Sequence, residues 1–234
     1  MNDYGYIERN YRELLDEVGS YERLYGRNIT TVAVTKSGND EELIALARAG
    51  VTDIGENRPT ELKRRAELLE KNGYSPKLHE IGNLQRNKVK LVVGISSLIH
   101  SVGSYELACE IDKQAKNLGI VSDILIEVNS AEEEMKGGVL PEDAEKLFLR
   151  IRELENLRLC GLMTMGPVCE NPEDARKYFK LTKEIFDRIK NTYGWCGDGV
   201  LSMGMSDSYR VAIEEGSTLI RVGRKLFDKT KGDI

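Results

Sequence analysis

Short apolar segments rich in β-branched residues alternate with longer amphipathic segments along most of this chain. Runs of this length are typical of buried strands in a parallel sheet, and the segments between them have helical periodicity. The eight predicted strands are residues 31–34, 53–54, 78–81, 98–102, 123–128, 157–162, 199–203 and 219–222. The predicted helices are residues 41–48, 61–70, 105–117, 141–154, 172–190 and 208–215, with a shorter segment at 85–93.

Eight strand–helix repeats within 234 residues predict an α/β fold, a single (β/α)8 TIM barrel. We expect one domain over residues 1–234, with an extra N-terminal helix at residues 6–24 before the first strand. A doubly wound open sheet is the alternative. The barrel has a consequence for function, because active-site residues in such barrels lie directly after the carboxyl ends of the strands.

The composition argues against several classes of protein. The 34 basic and 39 acidic side chains give a net charge of −5, which disfavours a nucleic-acid-binding surface. No segment approaches the roughly 18 consecutive apolar residues of a membrane span, and the N-terminus lacks the layout of a signal peptide. Four cysteines without a C-x-x-C pair and only two histidines argue against a metal site and indicate free thiols in a reducing cytoplasm.

Lys36 closely follows the first predicted strand and precedes a Ser-Gly-Asn-Asp cluster, which is typical of a turn and a helix N-cap. This position puts the amine at the mouth of the barrel. A partly desolvated lysine amine loses basicity and becomes a nucleophile toward carbonyl groups. The alternative is a surface lysine whose stem covers the end of the strand.

The ends of the seventh and eighth strands carry small residues that can bind an anion. Ser206 follows the seventh strand in a Gly-Met-Ser-Asp segment, and Gly223 and Arg224 follow the eighth. Backbone N–H groups at such turns point at an anion, and a phosphate site in barrels often lies after strands seven and eight. The alternative for Ser206 is an ordinary helix N-cap.

Arg221 lies two residues before Gly223, so its side chain should enter the barrel mouth. An amine, a phosphate-binding cup and an inward arginine together fit pyridoxal 5′-phosphate (PLP), which lysine binds as a Schiff base. An arginine that faces the pyridine nitrogen opposes its protonation, which disfavours transaminase-type chemistry. The alternative for Arg221 is an ion pair with a rim carboxylate such as Glu127.

A set of short motifs extends this pattern over most of the chain. They are residues 33–36 (AVTK), 55–57 (GEN) with Glu61, 79–88 (HEIGNLQRNK), 128–129 (VN), 136–138 (KGG), 161–165 (GLMTM), 201–206 (LSMGMS) and 212–223 (AIEEGSTLIRVG). Together they resemble the motifs of the pyridoxal phosphate homeostasis protein family, which has the fold of the alanine racemase N-terminal domain.

The resemblance implies that PLP is held as a Schiff base on one lysine. The residues it implies for cofactor binding are Lys36, Asn57, His79, Ser206, Arg221, Gly223 and Arg224. Their implied contacts are the phosphate for Ser206, Gly223 and Arg224, the pyridine nitrogen for Arg221, and the side of the ring for Asn57 and His79. Two residues depart from the family pattern, because Ser208 stands where an acidic residue is usual and Arg224 where a small residue is common. The implied backbone contact of Arg224 with the phosphate is unaffected, but the resemblance assigns no role to its side chain.

A protein that only holds PLP differs from a PLP-dependent racemase in one requirement: the racemase needs a second base beside the lysine. Racemases that share this barrel add a β-domain with a catalytic tyrosine, for which we expect no room after the eighth strand. A second base would have to be His79, His100 or Tyr209, and the alternative for the two histidines is a structural, hydrogen-bonded role. We therefore expect a PLP-binding homeostasis protein without robust catalytic activity, with a minimal PLP-dependent amino-acid racemase as the alternative.

Two further expectations concern chemistry and partners. A Schiff-base aldolase that uses Lys36 without a cofactor is a third hypothesis, although aldolase lysines usually lie on strand six, where residues 163–165 offer no amine. For a homeostasis protein, PLP-dependent apo-enzymes are the candidate partners. A monomer is expected because one barrel supplies the whole site.

Overall fold

Eight parallel strands close into a barrel in the computed structural model, which describes residues 4–133, 137–167 and 169–230. The strands are β1 (Thr30–Val34), β2 (Asp53–Glu56), β3 (Lys77–Glu80), β4 (Leu98–Val102), β5 (Ser122–Val128), β6 (Leu157–Thr164), β7 (Val200–Ser202) and β8 (Leu219–Val222). Each strand pairs with the next, and β8 pairs with β1. The predicted (β/α)8 fold is confirmed, and the open sheet is wrong because the strands leave no free edge.

Helices alternate with these strands and surround them. They are α1 (Gly5–Tyr25), α2 (Asp40–Arg48), α3 (Pro59–Lys71), α4 (Tyr105–Leu118), α5 (Ala144–Ile151), α6 (Arg176–Tyr193) and α7 (Tyr209–Glu214). The predicted segment at residues 85–93 is a 3₁₀ helix, Arg86–Leu91. None of the helices in the described part of the chain is both long enough and apolar enough to cross a membrane.

The first turn of α2 fixes the chain that follows Lys36. The Asn39 side chain accepts a hydrogen bond from the Glu42 N–H at 2.9 Å, and the Glu42 carboxylate accepts one from the Asn39 N–H at 2.9 Å. This reciprocal capping box satisfies two N–H groups that a helix start would otherwise leave unpaired. The predicted N-cap is thus present, and the turn between β1 and α2 is held at both ends.

The barrel has two apolar layers because side chains alternate along each strand. The larger layer lies between the strands and the helices and includes the fully buried Ala33, Ile54 and Ile124. The smaller layer fills the barrel interior; its members are Val32, Leu98, Leu125, Cys160, Met163 and Leu219. In β4 and β8 the next inward position along the strand is polar, so polar side chains occupy the interior above this apolar plug.

A buried carboxyl group lies just below the mouth, at the end of β3. Glu80 is fully buried between the strands and the helices, and its Oε1 accepts a hydrogen bond from the Gly82 N–H at 3.2 Å. Its Oε2 has no hydrogen-bond partner among the described residues. Burial, followed by the nearby charge of Glu56, raises the pKa of Glu80 to about 8, although the Gly82 N–H acts in the opposite direction.

Gly161 permits a close approach between β6 and β7, which predicts a large effect for a small substitution. It has φ of +150°, and an added Cβ would lie 1.9 Å from the Val200 carbonyl oxygen. We expect Gly161→Ala to lower the free energy of unfolding by about 2–4 kcal/mol. The matched control is Gly19→Ala inside α1, where the nearest atom would be 3.5 Å away; it should stabilise by about 0.5–1 kcal/mol. Urea unfolding of both variants measures the difference, and equal effects would contradict this account.

Glu80 predicts an unusual dependence of stability on pH. Its folded pKa of about 8 exceeds the ordinary 4.5, so its contribution to stability is complete below pH 4.5 and is lost as the pH rises to about 8. We expect Glu80→Gln to raise the free energy of unfolding near pH 9 by roughly 2–4 kcal/mol and to change it little near pH 4. The control Glu41→Gln changes an exposed carboxyl group in the first turn of α2 and should have little effect at either pH. Urea unfolding at the two pH values tests this, and a pH-independent effect of Glu80→Gln would count against it.

Candidate functional site

Lys36 lies on the rim of the barrel, in the turn after β1. This turn is closed by a hydrogen bond from the Gly38 N–H to the Thr35 carbonyl oxygen at 2.9 Å. The Thr35 hydroxyl donates to the buried Glu56 carboxylate, which ties the turn to β2. Strand β1 ends at Val34, so Lys36 is two residues beyond the strand, and its side chain is exposed instead of partly buried as expected. It forms no hydrogen bond or ion pair within the described ranges.

Ser206 and Gly223 join the loops that follow β7 and β8. The Ser206 hydroxyl accepts a hydrogen bond from the Gly223 N–H at 3.1 Å. The N-cap of α7 is Ser208, whose hydroxyl accepts a hydrogen bond from the Met205 N–H at 3.3 Å, so the alternative that Ser206 caps this helix is wrong. Ser208 thereby shapes the loop through the backbone, where the family pattern has a charged residue.

Gly223 packs against the end of β1. A Cβ added at this residue would lie 3.0 Å from the Val34 carbonyl oxygen and 3.3 Å from the Val34 Cβ. The backbone of the β8 loop can therefore lie this close to β1 only because the side chain is absent. The cup formed by Ser206 and Gly223 is consequently bounded by the strand that leads to Lys36.

The outer side of the cup is closed by an ion pair between Arg224 and Asp207, two side chains that are both exposed. Arg224 begins a 3₁₀ helix, Arg224–Leu226, and α7 has only six residues. Helices this short add little dipole, so any anion here would be held mainly by individual N–H and hydroxyl groups. The side chain of Arg224, which the sequence left without a role, has Asp207 as its partner.

Arg221 is buried inside the barrel, below the cup. Its Nη1 donates to the Ser202 hydroxyl at 2.5 Å, and its Nη2 donates to the Thr164 carbonyl oxygen at 2.9 Å. Burial lowers the pKa of Arg221 to about 10, and the negative charge of Glu127 acts against this shift. Burial also raises the pKa of Glu127. The two residues interact through space but form no direct ion pair, so the alternative partner considered for Arg221 is not its contact.

The predicted ring-side residues lie at different depths. Asn57 is exposed in the turn after β2, on the same rim as Lys36. His79 is buried in the interior, where its Nε2 is 2.9 Å from Asp53 Oδ1 and its Nδ1 is 2.9 Å from His100 Nε2. The structure therefore places Lys36, Ser206 and Gly223 in the loops that follow the neighbouring strands β1, β7 and β8, whereas Arg221 and His79 are buried in the interior below them.

Several buried polar residues escaped the sequence analysis. Ser202 and Thr164 contact Arg221, and Asp53 contacts His79. Their one visible signal is a polar side chain inside an apolar strand, and each of these contacts joins residues on different strands. Of the motif at residues 136–138, Lys136 lies outside the described residues. The Val139 carbonyl oxygen, one residue further on, accepts a hydrogen bond from the Asn129 N–H at 2.8 Å and so pairs with the end of β5.

Tyr209, a candidate second base, lies outside the mouth. It is buried in the layer between the strands and the helices, and its hydroxyl accepts a hydrogen bond from Lys225 Nζ at 2.7 Å. Lys225 is also paired with Glu17 of α1 at 2.9 Å. Tyr209 therefore faces α1, and the other two candidates, His79 and His100, are buried against one another.

The chemistry of the rim fits a phosphorylated aldehyde. An exposed primary amine can bond to a carbonyl carbon, and the Ser206–Gly223 cup can accept an anion. The amine and the cup lie above the buried guanidinium of Arg221. A positive charge there favours a neutral or electron-rich group next to it over a second cation. The three groups come from neighbouring strands because β8 pairs with both β7 and β1.

Comparisons with known proteins agree with this arrangement. Residues 3–229 match the family described as the alanine racemase N-terminal domain. A pyridoxal phosphate homeostasis protein of Aquifex aeolicus is 42% identical over 200 residues, which cover 86% of each chain. One from Helicobacter pylori is 36% identical over 227 residues, which cover 93% of this chain and 98% of that protein.

A solved structure extends the likeness to three dimensions. PipY of Synechococcus elongatus, in a structure with PLP bound, has a TM-score of 0.83 at 25% identity, and the match covers 95% of this chain and 100% of PipY. The matches span nearly the whole length of both partners. This chain therefore belongs to the pyridoxal phosphate homeostasis protein family, within the alanine racemase N-terminal domain family.

Proposed function

We propose that the protein binds PLP at the barrel mouth, as a Schiff base on Lys36, and serves intracellular PLP homeostasis. One observation carries the proposal: the turn with Lys36, the Ser206–Gly223 cup and the Arg221 guanidinium lie on three neighbouring strands. The names of the curated relatives and the PLP bound to PipY support the choice of ligand.

Each rim residue has a role in this proposal. Lys36 supplies the amine, while the Ser206 hydroxyl and the N–H groups of Gly223 and Arg224 hold the phosphate. Asn57 contacts the ring from the rim. Arg221 lies nearest the ring nitrogen, and His79 acts on the site through the buried residues that connect it to Arg221.

The surroundings of these residues favour a carrier over an enzyme. PLP, when bound, supplies an electrophilic carbonyl group and a ring that can withdraw electrons. Arg221 opposes protonation of the ring nitrogen and so weakens that withdrawal. The three candidate second bases are buried or face α1, which supports reversible holding of the cofactor over proton exchange on a substrate.

The cellular setting follows from the same features. We propose a monomer that acts as one barrel over residues 1–234, because every proposed cofactor contact comes from one chain. The four cysteines are free thiols, which supports a reducing cytoplasm as the compartment. PLP-dependent apo-enzymes are the proposed recipients of the released cofactor.

Substitution of Lys36 tests the proposed linkage. We expect Lys36→Ala to lose the visible absorbance band of bound PLP and to weaken binding by at least about tenfold. Lys36→Arg keeps the positive charge but has no primary amine, so it should lose the band as well. Lys90→Ala, at an exposed residue outside the rim turn, should keep it. Borohydride reduction followed by peptide mapping gives an independent readout, and label on a different lysine would refute the assignment.

Hydrogen exchange separates the carrier from a racemase. We expect no deuterium incorporation at the α-carbon of alanine, serine or other amino acids in D₂O beyond the rate with free PLP, because the three candidate second bases are buried or face α1. Mass spectrometry of the recovered amino acids measures this. Exchange that requires Lys36 would favour the minimal racemase.

A further inference from the structure

A continuous line of hydrogen bonds crosses the barrel interior below the mouth. It joins Asp53 to His79 at 2.9 Å, His79 to His100 at 2.9 Å, His100 to Ser202 at 3.0 Å, and Ser202 to Arg221 at 2.5 Å. We call these five residues the buried relay. All five are at least nine-tenths buried, and the step from His100 to Ser202 spans the interior from β4 to β7.

The direction of every hydrogen bond in the buried relay is determined from the arginine end. A guanidinium only donates, so the Ser202 oxygen accepts from Arg221. The hydroxyl hydrogen of Ser202 then needs an acceptor, and its other recorded polar contact within the described chain is His100 Nδ1. His100 Nδ1 is therefore unprotonated, which places the single proton of that ring on Nε2.

The same logic continues to the other end. His100 Nε2–H donates to His79 Nδ1, so His79 carries its own proton on Nε2 and donates it to Asp53. A carboxylate only accepts, so the line ends there. Each donor in the relay thus points away from Arg221 and toward Asp53, and both histidine rings are neutral.

Two further observations agree with this assignment. Burial, together with the nearby positive charge of Arg221, lowers the pKa of His100 well below its ordinary value. Burial would raise the pKa of Asp53, but the hydrogen bonds from His79 and Thr52, with the nearby positive charge of Lys77, together lower it. The relay therefore has one positive and one negative end, with neutral groups between them.

We propose that His79, His100 and Ser202 are positioning residues, each with one fixed hydrogen-bond direction, that hold the Arg221 guanidinium in a fixed orientation under the cofactor ring. The proposal deepens the PLP-binding function and rests on it for the identity of the ring. Ser202 fixes Nη1, and the Thr164 carbonyl fixes Nη2, so the guanidinium plane is held at two points. His100 orients the Ser202 hydroxyl, and His79 and Asp53 orient His100.

Nitrogen NMR of the cofactor-free protein tests the protonation states directly. The chain has only two histidines, so ¹⁵N-histidine labelling gives four ring signals. We expect both rings to carry their proton on Nε2 with Nδ1 unprotonated, and the His100 ring to stay in this form throughout about pH 6–8. A neutral ring protonated on Nδ1, or titration of His100 in this range, would overturn the proposal. This test is independent of PLP, so a protein that binds no PLP would refute the proposed function and leave this readout intact.

Ser202 variants test the effect on Arg221. Ser202→Ala removes the hydrogen bonds of Ser202 with Arg221 and with His100, so the His100 proton should no longer be confined to Nε2. The absorbance of bound PLP changes with pH as the bound cofactor is protonated. We expect the midpoint of this change to rise by about half a pH unit or more, because an Arg221 side chain that is held less firmly opposes protonation of the cofactor less. Ser202→Thr keeps the hydroxyl and should restore both readouts. An NMR pattern and a midpoint that are unchanged in Ser202→Ala would overturn the positioning role.

His100 variants provide the second arm. His100→Asn keeps an acceptor near the Ser202 hydroxyl, whereas His100→Leu removes it without a polar replacement. We expect the midpoint of bound PLP to change less in His100→Asn than in His100→Leu. Equal shifts in the two variants, with both folded by circular dichroism, would argue against a relay that acts through Ser202.

Discussion

Closure of the barrel between β8 and β1 is the constraint on which the whole site depends. The hydrogen bonds of this pair set Val32 beside Arg221 and bring the last loop of the chain against the first. In an open sheet with the same strand order, these two strands would lie at opposite edges. The amine of Lys36 and the Ser206–Gly223 cup are neighbours only because the sheet has no edge.

The polar interior illustrates how a buried charge is tolerated. Arg221 is nearly inaccessible to solvent, yet its guanidinium donates to a hydroxyl and to a carbonyl group. Glu127 supplies negative charge nearby, and Asp53 supplies it at the far end of the buried relay. Glu80 shows the opposite solution, because burial without a second partner favours its neutral form. Burial alone is therefore not what decides protonation here; the number of donors and acceptors around each group decides it.

Most of the fold could be predicted from the sequence because strand and helix periodicities are local. The bounds of all eight strands were within two residues of the prediction, and the capping box of α2 follows from neighbouring residues. The contact of His100 with Ser202 could not be predicted, since it depends on the width of the barrel. The exposure of Lys36, which the sequence left open as the alternative, follows from a turn at Thr35 and not after the lysine.

The close packing of Gly223 on Val34 has a consequence for ligand selection. The wall of the anion cup is the backbone of β1 itself, and neighbouring strands in a sheet are held about 4.8 Å apart. The separation between the cup and the backbone of Lys36 is therefore set by the fold, and the lysine side chain can vary the position of its amine only within its own length. A molecule whose aldehyde and phosphate are farther apart than this reach can fill one end of the site or the other, but not both.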